Sequence, residues 1–309
     1  MQLLYALAEL RTPFLDALLG ALTNCGGELV FMAAAIIVFW CVSKSCGYYM
    51  LTVGFVGTIV NQFLKLVFRI PRPWVKDPDF QIVESARAEA TGYSFPSGHT
   101  QNVFASFGCL GRWTKRTWLR VVCALLIVVT AFSRMYLGVH TPLDVGVSLG
   151  IGLVLVFALY PLFRDIDSHP KRLYLLFGAM AVLGAAYLLF AELWPFPADV
   201  DAANLASGRK NAYTLLGAVL GMTFAYWLDR RYVHFDVRAV WWAQVLKTVL
   251  GLAITIGLRA ALKAPLLALC GGHNVANLIR YALMVIFAAG IWPMTFGWFG
   301  RLGRKKPAS

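Results

Sequence analysis

Residues 145–163 read VGVSLGIGLVLVFALYPLF and contain no ionised side chain. Three further stretches, 45–64, 173–191 and 281–300, run 19 or 20 residues in the same way. A helix rises 1.5 Å per residue, so about 20 apolar residues cross a hydrocarbon core of ~30 Å. The recurrence of that length predicts an all-α, polytopic transmembrane helical bundle. Composition agrees: of 309 residues, 59% are hydrophobic and 14% charged, with a mean hydropathy of +0.67. Soluble domains average about 45–50% apolar and about 25% charged, so a pair of soluble domains is excluded, as are disordered, collagen-like and disulfide-scaffold chains.

A net charge of +13, from 28 Lys and Arg against 15 Asp and Glu, would suggest nucleic acid in a soluble protein. Here the basic residues sit between apolar runs, where topology and anionic headgroups account for them, and no nucleic-acid partner is expected. The six cysteines form no CxxC pair and lie mostly within apolar segments, as small buried hydrophobes do. Residues 1–27 carry Glu9, Arg11, Pro13 and Asp16 at amphipathic spacing. They lack the basic start and compact apolar block of a cleaved leader and read as an interfacial helix retained on the chain.

About nine spans are expected, near 28–43, 47–68, 97–111, 119–136, 143–163, 173–191, 211–228, 240–262 and 278–299. One set of connecting loops collects Lys44; Arg112, Lys115, Arg116 and Arg120; Arg164, Lys171 and Arg172; Arg230, Arg231 and Arg238; and Arg301, Arg304, Lys305 and Lys306. The positive-inside rule puts these loops and the C-terminus in the cytoplasm and the 69–96 loop outside. Gly146-x-x-x-Gly150 and Gly217-x-x-x-Gly221 are candidate close-approach faces. Lys247, Arg259 and Arg280 fall inside or near the last two spans, and snorkelling to the interface is their simplest expectation.

Three polar clusters interrupt the apolar runs: Lys65-x6-Arg72-Pro73, Pro96-Ser97-Gly98-His99, and Ser133-Arg134-x5-His140-x3-Asp144. The alternation of spans brings all three to the external face. Lys65, Arg72 and Arg134 supply three cations, and the planar arginine fork matches two phosphate oxygens. Ser97 and Gly98 open a helix whose free N–H groups and dipole favour an anion, and Gly98 permits close backbone approach. Of the two histidines, one can attack phosphorus while the other protonates the leaving oxygen. Asp144, four residues after His140, is placed to orient its ring. Singly, each has a plain structural reading: Lys65 a snorkelling lysine, Arg72-Pro73 a helix stop, Ser97-Gly98 a turn, either histidine a hydrogen-bonded interior residue. Their joint spacing and sidedness favour a phosphate site.

On these residues the sequence resembles the phosphatidic acid phosphatase type 2 superfamily, integral-membrane lipid phosphatases sharing their site with bacterial non-specific acid phosphatases, glucose-6-phosphatase and vanadium haloperoxidases. The family pattern KxxxxxxRP, PSGH and SRxxxxxHxxxD stands complete over residues 65–144. The resemblance implies a phosphatase needing no metal or cofactor, with His140 transiently phosphorylated, Asp144 orienting it and His99 as general acid. It assigns Lys65, Arg72, Ser97, Gly98, Ser133 and Arg134 to the substrate. It further implies a six-span phosphatase core over 28–191 and a three-span extension over 192–309. In count and orientation, that layout is similar to glucose-6-phosphatase and the long sphingosine-1-phosphate phosphatases. The His273-Asn274 turn in the extension reads as a connecting loop.

Membrane lipids are the expected surroundings and a lipid phosphate the expected substrate: phosphatidate, phosphatidylglycerol phosphate, a sphingoid phosphate, or an isoprenoid phosphate or diphosphate. A soluble sugar phosphate, a vanadate-dependent haloperoxidase and a non-catalytic lipid-phosphate binder or translocator are the alternatives. Compact loops favour a bacterial plasma membrane, with the site facing outside the cytoplasm. The sequence sets no oligomeric state.

Overall fold

The structure, a computed structural model, describes residues 1–166 and 168–302, and every regular element among them is helical. Arg304, Lys305 and Lys306 of the basic set lie outside the described residues. In chain order the α-helices are α1 (Gln2–Glu9), α2 (Pro13–Thr23), α3 (Glu28–Ile37), α4 (Lys44–Phe68), α5 (Pro73–Lys76), α6 (Gly98–Val103), α7 (Cys109–Trp113), α8 (Thr117–Tyr136), α9 (Pro142–Arg164), α10 (Pro170–Leu193), α11 (Ala202–Leu228), α12 (Trp241–Ala261), α13 (Lys263–Leu269), α14 (Val275–Ile286) and α15 (Phe296–Phe299). Wider π turns extend α3, join α6 to α7, and extend α11 and α14.

Six helices are long and apolar enough to cross a membrane, or seven if Pro13–Gly26 and Glu28–Val42, bent by 50°, form one span. Nine spans are therefore not reproduced by length and composition. The expected span at 97–111 is the run α6 to α7, Gly98 to Trp113, short for a full crossing. That at 211–228 lies within α11, where Asn211, Thr214 and Thr223 dilute an otherwise apolar stretch.

The chain packs as two units: Met1–Ala35, Tyr48–Asp165 and Leu193–Gly208 in the first, and Ile36–Gly47, Ile166–Glu192 and Arg209–Ser309 in the second. These units do not follow a simple cut of the chain at 27 and 191. α10 belongs with the second because Tyr174 and Phe177 set their rings against Tyr226 of α11, at 5.0 and 5.4 Å.

In the first unit, α1 and α2 bury Leu4 and Leu19 in a cluster with Phe80, Ile82, Tyr136, Leu137 and Val139. Leu3, Leu10, Phe14 and Leu18 of the same segment stay exposed. The segment is also pinned in place. Arg11 donates to the carbonyls of Tyr136 and Gln81 at 3.1 and 2.7 Å, and the Tyr136 hydroxyl donates to Asp16 at 2.9 Å.

In the second unit, a Cβ at Gly217 or Gly221 would strike the backbone of Leu278 or Ala282, so α11 and α14 meet backbone to backbone. No such partner faces Gly146 or Gly150. Lys247 and Arg280 depart from the snorkelling expectation: they are 1% and 7% exposed and bonded within the unit. Arg259 is exposed at the end of α12.

Candidate active site

α4 ends at Phe68 because Arg69 turns into the left-handed region (φ 49°) and Pro71 follows, which no helix continues through. Arg72 then caps α5, with Pro73 at its first position. Lys65, in the last turn of α4, and Arg72 are thereby turned into the same interior, each 6% exposed.

Arg72 is bound on nearly every side. Its Nε donates to the Gly92 carbonyl at 3.1 Å, Nη2 to Thr91 at 2.7 Å and Nη1 to Val139 at 3.0 Å. The Lys65 ammonium donates to the carbonyl of Tyr93. Both cations thus hold the 69–96 loop as well as facing the site.

The third cluster is built by a capping box. Thr141 caps α9, Pro142 is its first residue, and Asp144 at its third accepts a hydrogen bond from the Thr141 amide at 2.7 Å. His140 lies just ahead of the helix, its Nδ1 3.4 Å from Asp144 Oδ2. The four-residue spacing therefore works through the cap rather than through one turn of helix. The same oxygen accepts from Ser94 Oγ at 2.5 Å.

Arg72 Nη1 stands 3.0 Å from His140 Nε2. A guanidinium only donates, so Nε2 is the accepting nitrogen, and the proton sits on Nδ1 facing Asp144. That tautomer leaves the lone pair on Nε2. Burial, reinforced by Arg72, Arg134 and Lys65, holds the His140 pKa well below the ordinary imidazole value, so the ring is neutral near pH 7.

Arg134, in the last turn of α8, is 1% exposed. Its Nη1 donates to Thr23 Oγ1 of α2 at 3.0 Å, while Nε and Nη2 are buried with no hydrogen-bond partner among the described residues. Ser133, beside it, turns its hydroxyl back to the Thr130 carbonyl at 2.7 Å.

Ser97 caps α6. Its hydroxyl accepts from the Thr100 amide and hydroxyl at 3.4 and 3.0 Å, and its own amide donates to the Asp144 carbonyl at 3.1 Å. The amides of Gly98 and His99, in the first turn, have no acceptor within the helix. A Cβ at Gly98 would enter unfilled space. His99, its side chain 13% exposed, places Nε2 2.9 Å from Glu89.

The structure thus gathers all nine sequence-predicted site residues within the first unit. Sequence reasoning missed Thr23, Ser94, Glu89 and Thr141. Only Thr141 carried a local signal, the Thr-Pro-x-Asp cap. Chemically, three buried cations face one buried carboxylate, Asp144, with Glu89 at the exposed edge beside His99, and the cluster holds unused donors on Arg134 and a neutral imidazole. Excess buried positive charge is costly until an anion enters. No group of His, Cys, Asp and Glu among the described residues has a metal-binding arrangement.

Residues 44–167 match the family described as PAP2 superfamily, and residues 213–305 match the one described as PAP2 superfamily phosphatase, transmembrane extension. The chain is similar to the undecaprenyl-diphosphatase BcrC of Bacillus subtilis (strain 168), 34% identical over 39% of this chain and 61% of that protein. A probable sphingosine-1-phosphate phosphatase of Dictyostelium discoideum is 27% identical over 72% of this chain and 56% of its own. Phosphatidylglycerophosphatase B of B. subtilis (strain 168) is 24% identical over 53% and 80%. The matches to the first two thus span less than two thirds of those proteins. No solved structure matches the chain.

Proposed function

We propose, this chain being a member of the PAP2 superfamily, that it hydrolyses a lipid phosphate or diphosphate through a phosphohistidine intermediate. The observation that carries the reading is Arg134: buried, with two nitrogens lacking acceptors among the described residues, in a cluster where Arg72 stands 3.0 Å from the Nε2 of His140. A phosphoryl group supplies the missing acceptors and the missing negative charge. On entry it takes Arg72 Nη1 away from Nε2 and frees the lone pair.

His140 Nε2 then forms a bond to phosphorus as the bond to the lipid oxygen breaks. His99 gives that oxygen its proton. Water attacks the phosphohistidine, His99 recovers a proton from it, and phosphate leaves with His140 regenerated. Asp144 holds the Nδ1 proton throughout. Arginine and lysine neutralise the transferring group, so turnover is expected to persist in EDTA; activity that vanishes there and returns with Mg²⁺ would contradict this step.

Membrane-spanning helices and the names of the relatives favour a lipid over a soluble substrate, with an isoprenoid diphosphate, a sphingoid phosphate and phosphatidylglycerol phosphate as the leading candidates. The distribution of Lys and Arg favours the extracytoplasmic face for the site, and the compact loops favour a bacterial plasma membrane. Phosphate release from a panel of these lipids, with glucose 6-phosphate included, tests the reading. Release from lipids that is lost in His140→Ala supports it; turnover of glucose 6-phosphate alone would transfer the site to a soluble substrate.

A further inference from the structure

The second unit holds cations that this chemistry does not use. Arg280, in the second turn of α14, is 7% exposed. Its Nη2 donates to Asn277 Oδ1 at 2.8 Å, and Asn277 is itself fixed by donating through Nδ2 to Asn274 Oδ1 at 3.2 Å. The guanidinium is therefore oriented by neutral partners only. Its Nε is buried without a hydrogen-bond partner among the described residues.

Arg259 shares the same aromatic neighbour: the guanidinium carbons of Arg280 and Arg259 lie 5.3 and 5.9 Å from the centre of the Tyr281 ring. Among the described residues neither arginine has a carboxylate partner, and Glu192 of this unit is engaged by Arg209 at 3.4 Å. Arg259 alone requires no ligand, since it is exposed at a helix C-terminus where the dipole favours a cation. Arg280 has no such account. A buried guanidinium with an unused N–H, beside a second cation and no anion, is unfavourable in a membrane-embedded unit.

We propose that Arg280 and Arg259 form a phosphate-binding site in the C-terminal unit. It would be filled by the phosphate of an anionic phospholipid headgroup or by free inorganic phosphate. The open side of a guanidinium takes two oxygens of one phosphate, and a second arginine within reach of the same ring can take a third. Depth fits: Arg280 is about 8 Å along α14 from its start, and Arg259 lies in the last turn of α12, which puts both near the boundary between headgroup and hydrocarbon. The site binds and does not hydrolyse. In the turn before α14, His273 accepts the Val275 amide at Nδ1, 3.2 Å away, and sets its ring edge-on to Tyr213 at 5.5 Å, so its ring is committed to contacts within the unit.

The test uses the full chain in a phosphate-free maltoside detergent. Thermal unfolding is followed while dihexanoylphosphatidylglycerol or inorganic phosphate is titrated, in wild type, Arg280→Gln and Arg259→Gln. Any stabilisation through the catalytic site is common to all three, so the difference between proteins reports the new site. Apparent affinity for the lipid is expected to fall about tenfold in Arg280→Gln and several-fold in Arg259→Gln. Hydrolysis of a small aryl phosphate should be unchanged. If inorganic phosphate alone gives the arginine-dependent shift, the ligand is the free anion. Equal titrations in all three proteins would overturn the proposal. Should Arg280→Gln fail to fold, the exposed Arg259→Gln decides by itself.

Discussion

Two buried cations of this protein, Arg134 in the first unit and Lys247 in the second, are each 1% exposed and differ in what surrounds them. The Lys247 ammonium donates to the carbonyl of Trp40 at 2.8 Å and of Val237 at 3.3 Å, and faces the Phe296 ring at 4.2 Å. Three hydrogens meet three acceptors. Among the described residues Arg134 has one hydrogen-bond partner, Thr23, and two nitrogens without any. Burial alone therefore does not distinguish the two cations; hydrogen-bond satisfaction does. Lys247 joins the stretch before α4 to α12, whereas Arg134 holds donors ready for a group the chain does not supply.

The largest effect expected from this contrast is on chemistry. His140→Ala, which removes the proposed nucleophile, should lower kcat by at least about 10³-fold with the fold intact. Turnover above about 1% of wild type, measured as lipid-phosphate release, would remove His140 from that role. Next, His99→Ala should cost about 10²–10⁴-fold on an alkyl phosphate and far less on an aryl phosphate whose leaving oxygen scarcely needs a proton. Equal losses on both substrates would reassign His99. Smaller again is Thr23→Val, which frees the last bound nitrogen of Arg134. Loss of one hydrogen bond of about 1 kcal/mol predicts a rise of about fivefold in KM, rescued by Thr23→Ser. An unchanged KM would detach α2 from the site. Finally, Lys247→Met should lower thermal stability by about 1–3 kcal/mol through two stranded carbonyls, yet leave kcat per folded molecule unaltered. A kinetic defect there would erase the distinction between the two cations.

Sidedness can be broken independently. Ser85 and Thr117 are both exposed. After removal of the native cysteines, Ser85→Cys should react with an impermeant thiol reagent in intact cells and Thr117→Cys only after permeabilisation. The reverse pattern would move the site to the cytoplasmic face.

How much of this was legible beforehand follows from where the contacts run. The helical class and the positions of Lys65, Arg72, His99, Arg134, His140 and Asp144 were readable because apolar run length and short motifs are local properties. Thr23 was not, since it meets Arg134 across more than a hundred residues and carries no motif. Ser94 and Glu89 were hidden likewise in a loop whose course depends on Lys65 and Arg72. The count of nine spans is not reproduced by length and composition at a short helical run and at a polar-diluted helix, each of which reads as long enough by pattern. Snorkelling was expected for Lys247 and Arg280 because a sequence does not reveal which carbonyls or amides will be waiting inside.

The cap of α9 has a thermal consequence. One oxygen of Asp144 receives the Thr141 amide that starts the helix and stands opposite the His140 ring. Fraying of a first turn is a local opening that needs far less free energy than unfolding the whole unit. When this turn frays, the carboxylate leaves and the imidazole loses its aim, although every long helix is still formed. Catalysis then has a melting point of its own. On heating, turnover should disappear reversibly several degrees before far-ultraviolet circular dichroism reports any loss of helix.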